Sequence, residues 1–86
     1  MLRYVCDHRR HLICVPYSIE NLHAMARELD IDRCWFHKDH YDIPKRRIDE
    51  IAERCMIVSP RCIWKIIMGK MVYDTNGRQL IAVNGA

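Results

Sequence analysis

The sequence predicts a small α/β domain: a three-stranded, mostly parallel sheet flanked by three helices, with a β-hairpin at the C-terminal end. Two observations carry this reading. Short strand-like runs (Leu12-Ile13-Cys14-Val15, Arg33-Cys34-Trp35-Phe36 and Met56-Ile57-Val58) alternate with segments whose apolar residues recur at helical spacing, and that alternation implies right-handed β-α-β crossovers. Asn76-Gly77, between Met71-Val72-Tyr73 and Leu80-Ile81-Ala82-Val83, supplies the positive φ angles of a type I′ hairpin turn over 71–83. With 86 residues, and neither an internal repeat nor a linker, the chain reads as one domain over 1–86.

Met1 to Val5 is a strand-like mixture, interrupted by the polar loop Cys6-Asp7-His8-Arg9-Arg10-His11. The apolar run Leu12 to Val15, closed by Pro16, has the pattern of a strand buried on both faces. Ser18 can cap the next helix, in which Ile19, Leu22, Ala26 and Leu29 form the apolar stripe, and Asp30-Ile31-Asp32 has turn character. A second buried strand, Arg33 to Phe36, then delivers His37 to Asp42 at its C-terminal end. In a parallel sheet that edge is where ligands usually bind. Pro44 starts a helix capped by Asp42 or Ile43, with Ile48, Ile51, Ala52 and Cys55 as its stripe. After the third strand, Ser59-Pro60 repeats the cap-and-proline signal for a helix through Ile63, Ile66 and Ile67, and Gly69 can end it.

The formal charge of +3 makes an anionic partner plausible without marking a dedicated nucleic-acid binder. Five cysteines, with no C-x-x-C and no leader-like segment, point to reduced thiols and a cytoplasmic protein. No apolar run approaches the roughly 20 residues that span a bilayer. The signatures G-x-G-x-x-G, G-x-x-x-x-G-K, H-E-x-x-H and G-x-S-x-G are all absent, which removes the common nucleotide-binding and serine-hydrolase readings.

The residues that could carry chemistry concentrate in Trp35-Phe36-His37-Lys38-Asp39-His40-Tyr41-Asp42. Asp7, His11, His23, His40 and Asp42 are the candidate catalytic set, because imidazoles paired with carboxylates suit acid–base work near neutral pH or a divalent metal. Cys34-x-x-His37-x-x-His40 has ligand types at close spacing, but alternation along a strand would turn them to different faces. Arg9, Arg10, Lys45, Arg46 and Arg47 are candidate anion-binding residues, with Trp35 and Tyr41 beside them. Three cations in a first helical turn oppose the helix dipole unless an anion sits there. Each group has an ordinary alternative: hydrogen-bonded histidines at a core boundary, and a solvated basic face.

Taken together, His11-Leu12-Ile13, Glu20-Asn21-Leu22-His23-Ala24-Met25-Ala26, Trp35-Phe36, His40-Tyr41-Asp42 and Lys45-Arg46-Arg47 resemble the DUF4031 family of small bacterial and phage proteins of unknown function. The likeness runs from about Asp7 to Ser59, and it implies a set of positions shared with the family at Asp7, His11, His23, Trp35, His40, Tyr41 and Asp42. The charged first loop and the C-terminal hairpin depart from the family pattern. Two functions follow as expectations. One is binding, with or without hydrolysis, of a phosphate-bearing ligand or nucleic acid at the His/Asp cluster, with a divalent metal as a candidate cofactor. The other is a phage-type adaptor or inhibitor that works by protein–protein contact through Trp64, Tyr73 and the hairpin, with homodimerisation expected. A structural zinc domain is the poorest fit, since the cysteines lack paired spacing.

Overall fold

The computed structural model describes residues 2–73 and 79–82, with residues 71–73 and 79–82 described by their backbone. Its centre is a five-stranded mixed sheet rather than the three-stranded, mostly parallel sheet expected. Strands β1 (Arg3–Cys6), β2 (His11–Val15), β3 (Phe36–His37), β4 (His40–Asp42) and β5 (Cys55–Ile57) lie in the order β3-β4-β2-β1-β5. Only β1 and β5 run parallel; the β1–β2, β2–β4 and β3–β4 pairs are antiparallel.

The correction has a local cause. Antiparallel neighbours can be joined by a tight turn, whereas parallel ones need a long crossover. Cys6 pairs with Leu12 across the polar loop, so β1 and β2 form a hairpin in which His8 takes a φ of 60°. His37 pairs with His40 across the two residues Lys38-Asp39, with Lys38 at φ 61°. The expected strand Arg33 to Phe36 is instead a 3-10 turn, Arg33–Trp35, capped by the Asp32 carboxylate and leading into this second hairpin.

Helix α1 (Ile19–Leu29) is capped by Ser18 Oγ, which accepts from the N–H of Asn21 at 3.0 Å. It buries Leu22, Met25, Ala26 and Leu29, while Ile19 stays exposed. Asp30 ends it in the left-handed conformation. The expected helix after Pro44 is a 3-10 turn, Lys45–Arg47, followed by the five-residue α2 (Ile48–Ala52). Helix α3 (Pro60–Ile67) has the Ser59 cap and the Pro60 start that its sequence predicts, and Gly69 follows at φ 74°.

Both faces of the sheet are covered. Leu12, Tyr41, Cys6 and Cys14 share one face by register and meet α1. Val5, Ile13 and Val15 share the other and are also buried, with α3 packed against β2. The backbone after α3 forms a separate two-stranded antiparallel sheet, β6 (Met71–Tyr73) with β7 (Gln79–Ala82); the Asn76-Gly77 turn lies outside the described residues. Among the described residues no helix is long and apolar enough to cross a membrane.

Candidate functional site

The β1–β2 turn is organised around one buried carboxylate. Asp7 Oδ1 accepts from the backbone N–H groups of Arg9 (2.9 Å), Arg10 (3.2 Å) and His11 (3.2 Å), while Oδ2 pairs with His11 Nδ1 at 2.6 Å. Burial pushes the Asp7 carboxyl up, but His11 and the N–H groups of Arg9 and His11 outweigh it and hold the group below the usual carboxylate range. Asp7 therefore acts as the turn's own anion, and it orients an imidazole.

That imidazole opens β2, where His11 lies opposite Asp42, the last residue of β4. Directly opposed residues share a face, and so do residues two apart along a strand, so His11, Asp42 and His40 project from the same side of the sheet. His40 Nδ1 pairs with Asp39 Oδ1 at 2.8 Å, and its Nε2 lies 3.2 Å from Asp42 Oδ1. The His11 and His40 ring centroids are 5.0 Å apart, and His37 stands 5.4 Å beyond His40. The Tyr17 hydroxyl donates to the Asp39 carbonyl at 2.7 Å, tying the hairpin tip to the chain just before α1.

Between this cluster and α3 lies a cleft of about 260 Å³, with His11, Asp39 and His40 on one side and Pro60, Ile63, Trp64 and Ile67 on the other. A wider depression of about 460 Å³, edged by His8, Asp49 and Ile57, offers only a 3.9 Å approach of His8 to Asp49. Polar groups converge at the smaller one. Arg10 flanks the cluster, its Nη2 being 3.7 Å from Asp42 Oδ2.

Four of the five residues expected to be catalytic, Asp7, His11, His40 and Asp42, are thus brought together. His23 is on the opposite face, where its Nδ1 meets the buried Tyr41 hydroxyl at 2.7 Å and its ring stacks edge-on against Phe36 at 4.7 Å. Burial, with Arg33 and Arg27 nearby, depresses the His23 pKa, which favours a neutral ring there.

The candidate cations are dispersed. Backbone N–H groups of Arg9 and Arg10 that could have cradled a phosphate are taken by Asp7. Arg47 donates to the carbonyls of Leu29 and Asp30, both at 2.9 Å, and to Glu50 at 2.8 Å, so it closes the C-terminal end of α1. Lys45 and Arg46 are exposed, and Lys45 borders a separate depression with Arg10, Trp35 and Ile48. Asp39, as the partner of His40, and the α3 wall of the cleft were not in the expected set. Asp39 sits visibly among the acidic residues of the central stretch, but only the hairpin shows which carboxylate meets Nδ1. Nothing in the sequence links α3 to this cluster.

A family model described as a protein of unknown function, DUF4031, matches residues 6–61. No curated protein matches the chain. No solved structure matches it either.

Proposed function

The chain belongs to the DUF4031 family, whose description assigns no activity, and we propose from the geometry of its own residues that it binds a phosphate-bearing ligand or nucleic acid at the His/Asp cluster, whose residue types also suit hydrolysis. The observation that carries this reading is the pair of imidazoles, His11 and His40, each anchored through Nδ1 by a carboxylate and set 5.0 Å apart beside a cleft. A carboxylate at Nδ1 favours the N–H on that nitrogen and leaves the Nε2 lone pair of His11 for chemistry, whereas His40 Nε2 faces Asp42 Oδ1 at 3.2 Å and there suits a donor. With two such rings, one takes the proton of an attacking water while the other, protonated, delivers a proton to the leaving oxygen. Arg10 neutralises part of the ligand's charge, and the exposed Trp64 on the facing wall offers a surface on which a base can stack.

Thermal shift against nucleotides and short single-stranded oligonucleotides tests this reading. The expected result is a rise in Tm for the native protein that is absent in His40→Ala. An equal rise in the variant, or none in the native protein, sinks it.

A second reading rests on Trp64, on α3, and Met68, the residue just past its end, exposed by 51% and 54% and four residues apart. Such a pair suits an apolar protein contact, including one with a second copy of the chain. Sedimentation that stays monomeric at high concentration, and is unchanged by Trp64→Ala, would count against self-association.

A further inference from the structure

We infer that His11, His40 and Asp42 hold a first-row divalent metal ion of the zinc type, with at least one coordination position left open. The inference deepens the proposed function and rests on its reading of this cluster as the working site; a bound ion would take both Nε2 lone pairs, so that activation of the attacking water would pass from the imidazoles to the ion.

Three features carry it. One ligand atom from each of the three residues lies within 4.8 Å of the other two. In a tetrahedral site with metal–ligand bonds of about 2.0–2.1 Å, neighbouring ligand atoms stand about 3.3 Å apart. The His40 Nε2 to Asp42 Oδ1 distance of 3.2 Å already has that value. His11 closes the remaining gap by adjusting a side chain that is 47% exposed.

The second feature is how the ligands are held. Metal-bound histidines characteristically give their other ring nitrogen to a carboxylate, which sets the tautomer and raises basicity. Both rings have this arrangement: Asp7 holds His11 Nδ1 at 2.6 Å and Asp39 holds His40 Nδ1 at 2.8 Å. Two separate turns supply these carboxylates, and Asp7 is buried in its turn while doing so.

Third, the donor set discriminates. Two imidazoles and a carboxylate favour zinc, iron, cobalt or manganese over magnesium or calcium, which prefer all-oxygen sites. Three protein ligands leave room for water or a ligand oxygen, the pattern of a catalytic rather than a structural centre. Arg10 approaches Oδ2 of Asp42, which leaves Oδ1 directed toward His40 and the ion. An ion acidifies a water bound to it, and with a single carboxylate ligand the centre keeps a net positive charge that favours an anionic oxygen.

The test is titration of Co²⁺ and Zn²⁺ into chelator-treated protein, read by calorimetry and by the visible absorption of Co²⁺. The prediction is one ion per chain with a tetrahedral or five-coordinate cobalt spectrum. Affinity should fall at least about tenfold in His11→Gln and in Asp42→Asn, and by about 10–100-fold in Asp7→Asn, which touches the ion only through His11. His23→Gln, on the other face of the sheet, should bind as the native protein does. Far-UV circular dichroism establishes that each variant is folded, and the comparison uses whichever of His11→Gln and Asp42→Asn remains native-like.

Absence of stoichiometric binding, equal affinity in the ligand variants, or a thiolate-to-cobalt charge-transfer band that places the ion on cysteine would overturn the inference. Metal binding without any response to phosphate ligands would support the metal site and overturn the phosphate reading. A phosphate-ligand shift that survives complete metal stripping, in a protein that takes up no ion, would do the reverse.

Discussion

Replacing Asp7 separates its two roles, because asparagine keeps one and alanine keeps neither. The native carboxylate accepts three backbone N–H bonds through Oδ1 and pairs with His11 through Oδ2. Hydrogen bonds to a charged group contribute about 1.5–3 kcal/mol each, so losing several costs about 3–6 kcal/mol, and total stability for a domain of this length is about 4–13 kcal/mol. Asp7→Ala should therefore lose about 3 kcal/mol or more, the lower figure applying because the freed N–H groups regain water in an exposed turn. Asp7→Asn keeps a carbonyl oxygen for the turn but gives up the charge, and about 1–2 kcal/mol is the expected loss. Its amide would also donate toward His11 Nδ1, pushing the imidazole proton to Nε2 and removing the lone pair there. Urea denaturation measures the stabilities; for a slope of about 1 kcal/mol per molar, the asparagine midpoint falls by about 1–2 M. Imidazole ¹⁵N chemical shifts report the tautomer. Two variants within about 0.5 kcal/mol of the native protein, with an unchanged His11 tautomer, would refute the claim that this carboxylate builds the turn and sets the ring.

The other predictions concern residues away from the cluster. Arg47→Met should cost about 1–2 kcal/mol, a partly exposed side chain's share of two charge-assisted bonds to the α1 carbonyls, and hydrogen exchange should quicken in the last turn of α1. Arg47→Lys should restore only part of this, because an ammonium lacks the planar fork that reaches both Leu29 and Asp30. Tyr41→Phe should cost about 1–2 kcal/mol by leaving His23 Nδ1 without the buried hydroxyl, as read from denaturant midpoints. His23 should also contribute to pH dependence: its folded pKa is depressed, so the unfolded chain binds the proton more readily. Its contribution is complete above its unfolded value of about 6.5 and is lost as pH falls through the lower folded value. The Tm of His23→Gln should fall less steeply than that of the native protein when pH is lowered between roughly 8 and 5.

Much of the local structure was legible in the residues. Ser18 and Ser59 cap α1 and α3 where a hydroxyl three residues ahead of a free N–H predicts it, Pro60 starts a helix, and Gly69 follows one with positive φ. Capping chemistry acts over a few residues, so a sequence carries it whole. The stretch from Trp35 to Asp42 likewise announced itself by density of histidine and carboxylate, and His40 and Asp42, two apart on β4, had to share a face once that segment was a strand.

Strand pairing was not legible in the same way, because direction depends on what a strand meets rather than on what it contains. The Cys6–His11 and His37–His40 turns carry no Asn-Gly or Asp-Gly signal, and His8 and Lys38 enter the left-handed region without one. Two hairpins therefore went unrecognised, and the expected parallel sheet became a mixed one. The same tertiary facts decided the site. Register placed His11 opposite Asp42, packing of α1 on the other face set His23 beside Tyr41, and packing against β2 brought the α3 wall to the cleft. By itself the sequence determined the family, the helix caps and the chemical types available. Which imidazoles meet, which carboxylates hold them and which arginine serves a helix end instead were decided by the tertiary structure, since those choices join residues up to several tens of positions apart through the geometry of the sheet.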